Sequence, residues 1–106
     1  MAVLYISEYS EFAVRDGGVA IAKEPTLTAS QTLAITASSA QSVAFNAATS
    51  FVRIHTDVIC AIEFGTAPVA LVSSPPAGSK RLAANQTEYW SVPVGAAFKV
   101  AVIATA

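Results

Sequence analysis

A chain of 106 residues has room for one domain with a single modest core, so residues 1–106 are read as one unit. Charged residues make up 12%, scattered along the chain, and the formal net charge is −1, which leaves neither a basic footprint for a phosphate backbone nor an acidic tail; nucleic acid is not expected as a partner. The apolar share is 54%, but apolar runs such as those at 58–62 and 100–104 extend to only about five residues where a membrane-spanning helix needs about 20, so no membrane helix is expected.

The opening Met1-Ala2-Val3-Leu4-Tyr5-Ile6-Ser7-Glu8 lacks a basic region and a long apolar stretch, and Glu8 comes early for a secretory signal, so cytoplasmic synthesis is expected. Val3-Leu4-Tyr5-Ile6 reads as a strand, with Asp16-Gly17-Gly18 as a turn into Val19-Ala20-Ile21-Ala22. The segment from Thr28 to Ser50 is rich in alanine, yet Ser, Thr and Gln interrupt it and no 3.6-residue period is sustained. Thr26-Leu27-Thr28-Ala29 and Gln31-Thr32-Leu33-Ala34-Ile35-Thr36 instead alternate apolar with polar, as strands with one buried face do.

The sharpest alternation is Phe51-Val52-Arg53-Ile54-His55-Thr56, with Val52 and Ile54 on the core face and Phe51, Arg53 and His55 on the other. After Asp57, Val58, Cys60, Ile62 and Phe64 share a face opposite Ile59, Ala61 and Glu63, and the two strands are joined by a hairpin or a tight corner. Gly65 ends the second strand and Ala67-Pro68 marks a turn. Ser73 to Lys80, rich in turn formers, reads as an exposed loop. Thr87 to Val92 is a strand closed by Pro93-Val94-Gly95, and Phe98 to Ala104 is the last one. About seven or eight short strands without a strong helix give an all-β fold, a single-domain antiparallel β-sandwich (jelly-roll-like) or a small barrel.

Chemistry is thinly supplied. His55 is the one imidazole and Cys60 the one thiol, and the alternation sends them to opposite faces, so no catalytic pair and no enzyme is expected. One His and one Cys cannot close a zinc site, the carboxylates miss calcium-loop spacing, and Asp16-Gly17-Gly18 is a turn; no metal and no cofactor are expected. Glu63 and Glu88 are isolated acids of the kind that is usually solvated or salt-bridged. Tyr89 and Trp90, adjacent on one strand, point to opposite faces, so at most one is core. The other is free to anchor a protein interface or, as the alternative, to stack on a sugar as in a carbohydrate-binding module. Lys80-Arg81 either solubilises the start of a strand or pairs with acids on a partner.

Three stretches, Phe51-Val52-Arg53-Ile54-His55-Thr56-Asp57 with Cys60-Ala61-Ile62-Glu63-Phe64-Gly65, Lys80 to Tyr89, and the closing Lys99-Val100-Ala101-Val102-Ile103, together with the opening Leu4 to Tyr9, resemble small virion proteins encoded among the head genes of tailed bacteriophages. The resemblance implies a structural virion component, a capsid decoration or cement protein on the capsid exterior, bound to the major capsid protein or another virion protein. It also suggests a homotrimer seated where capsomers meet. No functional residue carries over, and the alternative within the same family is a head–tail connector, collar or tail component. Sparse charge agrees with burial against a partner, because charged residues are depleted at interface cores.

Overall fold

Strands here are specified by which side chains can be buried on one face, and the sharpest alternation lies in the centre of the first sheet. The computed structural model describes residues 2–10, 12–14, 20–22, 24, 26, 30–71 and 80–105. Among these are ten strands and no helix: β1 (Val3–Tyr9), β2 (Phe12–Val14), β3 (Ala20–Ala22), β4 (Gln31–Ala34), β5 (Ala40–Gln41), β6 (Phe51–Thr56), β7 (Cys60–Gly65), β8 (Lys80–Leu82), β9 (Thr87–Ser91) and β10 (Lys99–Ala104). Eight of them form two four-stranded antiparallel sheets, ordered β4-β1-β6-β9 and β5-β10-β7-β8, while β2 and β3 pair with each other.

From β4 onward the chain changes sheet at every connection except β7 to β8. This is the order of a jelly roll in which β1 fills the place between β4 and β6 that the last strand of such a fold takes. The join between β6 and β7 is therefore a corner between sheets and not a hairpin. Thr56 shapes it: its hydroxyl donates to Val58 O at 2.7 Å, and Val58 N donates back to it at 3.3 Å.

Inward side chains from both sheets make one core. Leu4 and Ile6 of β1, Val52 and Ile54 of β6, Cys60 and Ile62 of β7 and Val100 and Val102 of β10 are fully buried. Each large aliphatic in this set contributes about 1.5–3 kcal/mol by leaving water. The register between β1 and β6, with Ile6 opposite Ile54, sets Leu4, Ile6, Val52 and Ile54 on one face, and a one-residue slip would turn all four outward.

The alanine-rich stretch supplies only β4 and β5, four and two residues long. Small side chains offer little area to bury, so most of 35–50 is held by single backbone bonds such as Ser42 N to Val100 O and Phe45 N to Phe98 O, both 2.8 Å. After Gly65 the chain turns back along the outer side of the second sheet. There Gln41 Nε2 donates to Pro68 O and Ala70 N donates to Ser39 Oγ, each at 2.9 Å, and the outward residues Ala61 and Ala101 are buried. The expected loop at Ser73 to Lys80 reaches the described residues only at Lys80, the first residue of β8; the Asp16-Gly17-Gly18 turn and Leu27-Thr28-Ala29 lie outside the described residues. The two ends of the described chain meet: Ile35 N donates to Ala2 O at 3.0 Å and Ala104 N to Thr36 O at 2.8 Å.

Candidate functional site

Alternation places the four candidate interface residues as follows. Tyr89 stands on the outer face of the first sheet, half exposed, with its ring 6.3 Å from that of Phe51. Trp90 turns inward and packs against the core, its ring 5.4 Å from Phe64, so of the two adjacent aromatics it is the core member. Lys80 and Arg81 are exposed on β8, at the edge of the second sheet. Lys80 Nζ is 3.1 Å from Glu63 Oε1, so its acidic neighbour is within the chain. The structure does not bring Tyr89 together with Lys80 and Arg81 on one face, although β8 and β9 are consecutive edge strands.

His55 and Cys60 lie on opposite sides of the first sheet's plane. His55 Nδ1 is 2.7 Å from Thr87 Oγ1 on the outer face, whereas Cys60 is fully buried and its thiol donates to Thr56 Oγ1 at 3.5 Å. Burial pushes the Cys60 thiol above its ordinary value, the direction that suppresses thiolate chemistry. Glu63 and Glu88 belong to different sheets, and Glu88 accepts from Gln86 Nε2 at 2.7 Å. Among the described residues no three His, Cys, Asp or Glu side chains gather as metal ligands would, and no helix is long and apolar enough to cross a membrane.

The outer face of the first sheet holds the feature that the sequence alone did not disclose. Antiparallel pairing sets Tyr5 beside His55 and Ser7 beside Arg53, and β9 adds Thr87 and Tyr89 on the other flank of β6. Arg53 and His55 point the same way along β6, and Asp57, just past its end, borders the same depression, a row with Tyr5, Ser7 and Ser30 along one side. Together these six line an open depression of about 470 Å³. The Tyr5 ring lies 6.0 Å from the His55 ring, and the Ser7 and Ser30 hydroxyls are 3.2 Å apart. Among the described residues neither the Arg53 guanidinium nor the Asp57 carboxylate has a hydrogen-bond or ion-pair partner. One end of the row is thus cationic, the other anionic, and the middle aromatic.

Next to this row the face is closed. Tyr9 and Phe51 stack at 5.0 Å and are both buried, so Phe51 is covered although it faces away from the core. The Tyr9 hydroxyl donates to Glu24 Oε2 at 2.7 Å, and burial first, then that carboxylate, pushes its pKa up to about 12. On the inner side, Glu8 is 3% exposed and its Oε1 accepts from Asn46 N at 2.7 Å and from the Thr49 hydroxyl at 2.8 Å. A carboxylate on the same strand face as Leu4 and Ile6 therefore ties β1 to the segment leading into β6. Compared with known protein families, curated proteins and solved structures, the chain matches none.

Proposed function

We propose that the chain is a structural virion protein of a tailed bacteriophage: a decoration or cement protein, not an enzyme, that assembles as a homotrimer on the outer head surface and ties neighbouring copies of the major capsid protein together. The observation that carries this is the pairing of a charge-poor jelly-roll sandwich with apolar side chains exposed on connecting segments. Val43 is 74% exposed and Val94 64%; one precedes β6 and the other lies between β9 and β10. Both connections lie at the same pole of the sandwich, because 42–45 is bonded to 98–100. Exposed aliphatics with few charges around them favour contact with a partner over permanent solvation. Many copies of a weak contact add through multivalency, which is how such a protein would stiffen a shell under internal pressure.

The test is binding of the purified chain to expanded, undecorated phage heads, read by co-sedimentation and by particle imaging. Saturable, stoichiometric binding at hundreds of copies supports the decoration role, and V43D/V94D should weaken it. A dozen or fewer copies at one vertex would assign the chain to the connector, collar or tail instead. No binding to any head form removes the proposal.

A further inference from the structure

The outer face of the first sheet has a polarity that a flat structural surface does not need. Arg53 at one end carries five N–H donors in a planar fork, the geometry that recognises a carboxylate in two parallel bonds. Asp57 at the other end offers only acceptors, suited to hydroxyl groups. Between them Tyr5 is 41% exposed and offers its ring to the C–H face of a ring ligand. His55 is held by Thr87 through Nδ1, which fixes the floor of the depression and leaves Nε2 as its second polar atom. β6 ends at Thr56, so Asp57, four residues after Arg53, lies at most about 13 Å from it, a span of up to two sugar rings end to end.

We propose that the depression lined by Tyr5, Arg53, His55 and Asp57 binds an acidic saccharide, with its carboxylate on Arg53, a pyranose face on Tyr5 and hydroxyls on Asp57. The site stands on residues of β1 and β6 and of the corner that follows β6, so it is independent of any role in a particle. Its openness and its single exposed ring set the affinity low, with a Kd on the order of 1 mM. The Asp57 carboxylate fixes the direction of binding, because a sugar carboxylate placed beside it would be repelled.

The experiment is an amide chemical-shift titration of the full chain with a diuronic acid and, separately, with the neutral disaccharide of the same ring type. Shifts are expected at Tyr5, Ser7 and 53–57, with the acidic sugar bound about tenfold tighter, the value of one charge-assisted fork at a wet surface. R53Q should erase that preference, and Y5A should weaken both sugars. Raising salt should weaken the acidic sugar alone, which reads the same contact in the wild-type chain should R53Q fail to fold. No shifts with either sugar at millimolar concentration, shifts confined to other surfaces, or equal binding of the acidic and neutral sugars would each overturn the proposal. Head binding is measured separately, so loss of one function leaves the other intact.

Discussion

Replacing Glu8 by alanine is the most informative perturbation of the fold. Glu8 Oε1 takes two donors, Asn46 N at 2.7 Å and the Thr49 hydroxyl at 2.8 Å, and Thr49 is itself 1% exposed. A hydrogen bond to a charged group contributes about 1.5–3 kcal/mol, and a buried hydroxyl left without its acceptor costs about 1–3 kcal/mol. Asn46 is exposed, so water replaces much of its lost bond and the Thr49 hydroxyl dominates. The sum for E8A is about 3–4 kcal/mol, a large share of the 5–15 kcal/mol that holds a domain of this size together. At about 4–8 °C per kcal/mol, the midpoint of thermal unfolding should fall by roughly 15–25 °C. E8Q keeps one acceptor oxygen but loses the charge and sets an NH2 where the second carboxylate oxygen was, so it should cost at least about 1 kcal/mol and less than E8A. Urea unfolding of E8A, E8Q, T49V and the E8A/T49V double variant gives the test. A coupling of about 1.5 kcal/mol or more between positions 8 and 49 is expected. If E8A costs under about 1 kcal/mol, or the two substitutions are additive, the buried carboxylate is not the tie between β1 and the 42–50 segment.

Three further outcomes follow from particular residues. Ultraviolet titration of wild type against Y9F should differ by one phenol ionising near pH 12; because the folded pKa is raised above its ordinary value of 10.0, the associated stability is complete below pH 10 and declines as pH climbs towards 12. E24Q should lower that pKa only in part, since burial is the larger cause. Cys60, with no exposed surface and a raised thiol pKa, should resist thiol reagents in the native state and react at the rate of unfolding, which a labelling time course across urea concentrations measures. Ala97 holds φ at 55°, left-handed backbone that costs a residue with a Cβ about 1–2 kcal/mol, so A97G should raise stability by about 0.5–1 kcal/mol once the greater chain entropy of glycine is counted. G95A, at φ 75°, should do the reverse.

Where neighbours in sequence decide orientation, the chain could be read directly. Alternation over 51–56 and 58–64 sets Val52, Ile54, Cys60 and Ile62 inward and separates His55 from Cys60, as the structure has them. It also divides Tyr89 from Trp90, although which of the two is core depends on Phe64 across the sandwich. Sheet membership was not legible, because a two-residue period is the same for strands of either sheet; hence the β6 to β7 corner stayed open between two geometries. Glu8 was within reach of the same rule, being two residues beyond Ile6 on the same face, but an acid invites a solvent assignment until Asn46 and Thr49 are seen to meet it. The depression at Tyr5, Arg53, His55 and Asp57 is made by the register of β1 on β6, two segments about fifty residues apart that no local pattern aligns.

The meeting of Ala2 with Ile35 and of Ala104 with Thr36 has a practical consequence. A short linker between Ala2 and Thr105 would leave every described strand pairing in place, and opening the chain before β4 would convert the permuted order into the ordinary one with β1 now last. Such a circular permutant should fold with native-like stability. Cargo fused at Ala2 or Thr105 would start from the same pole, away from Val43 and Val94, leaving that apolar end clear for contact.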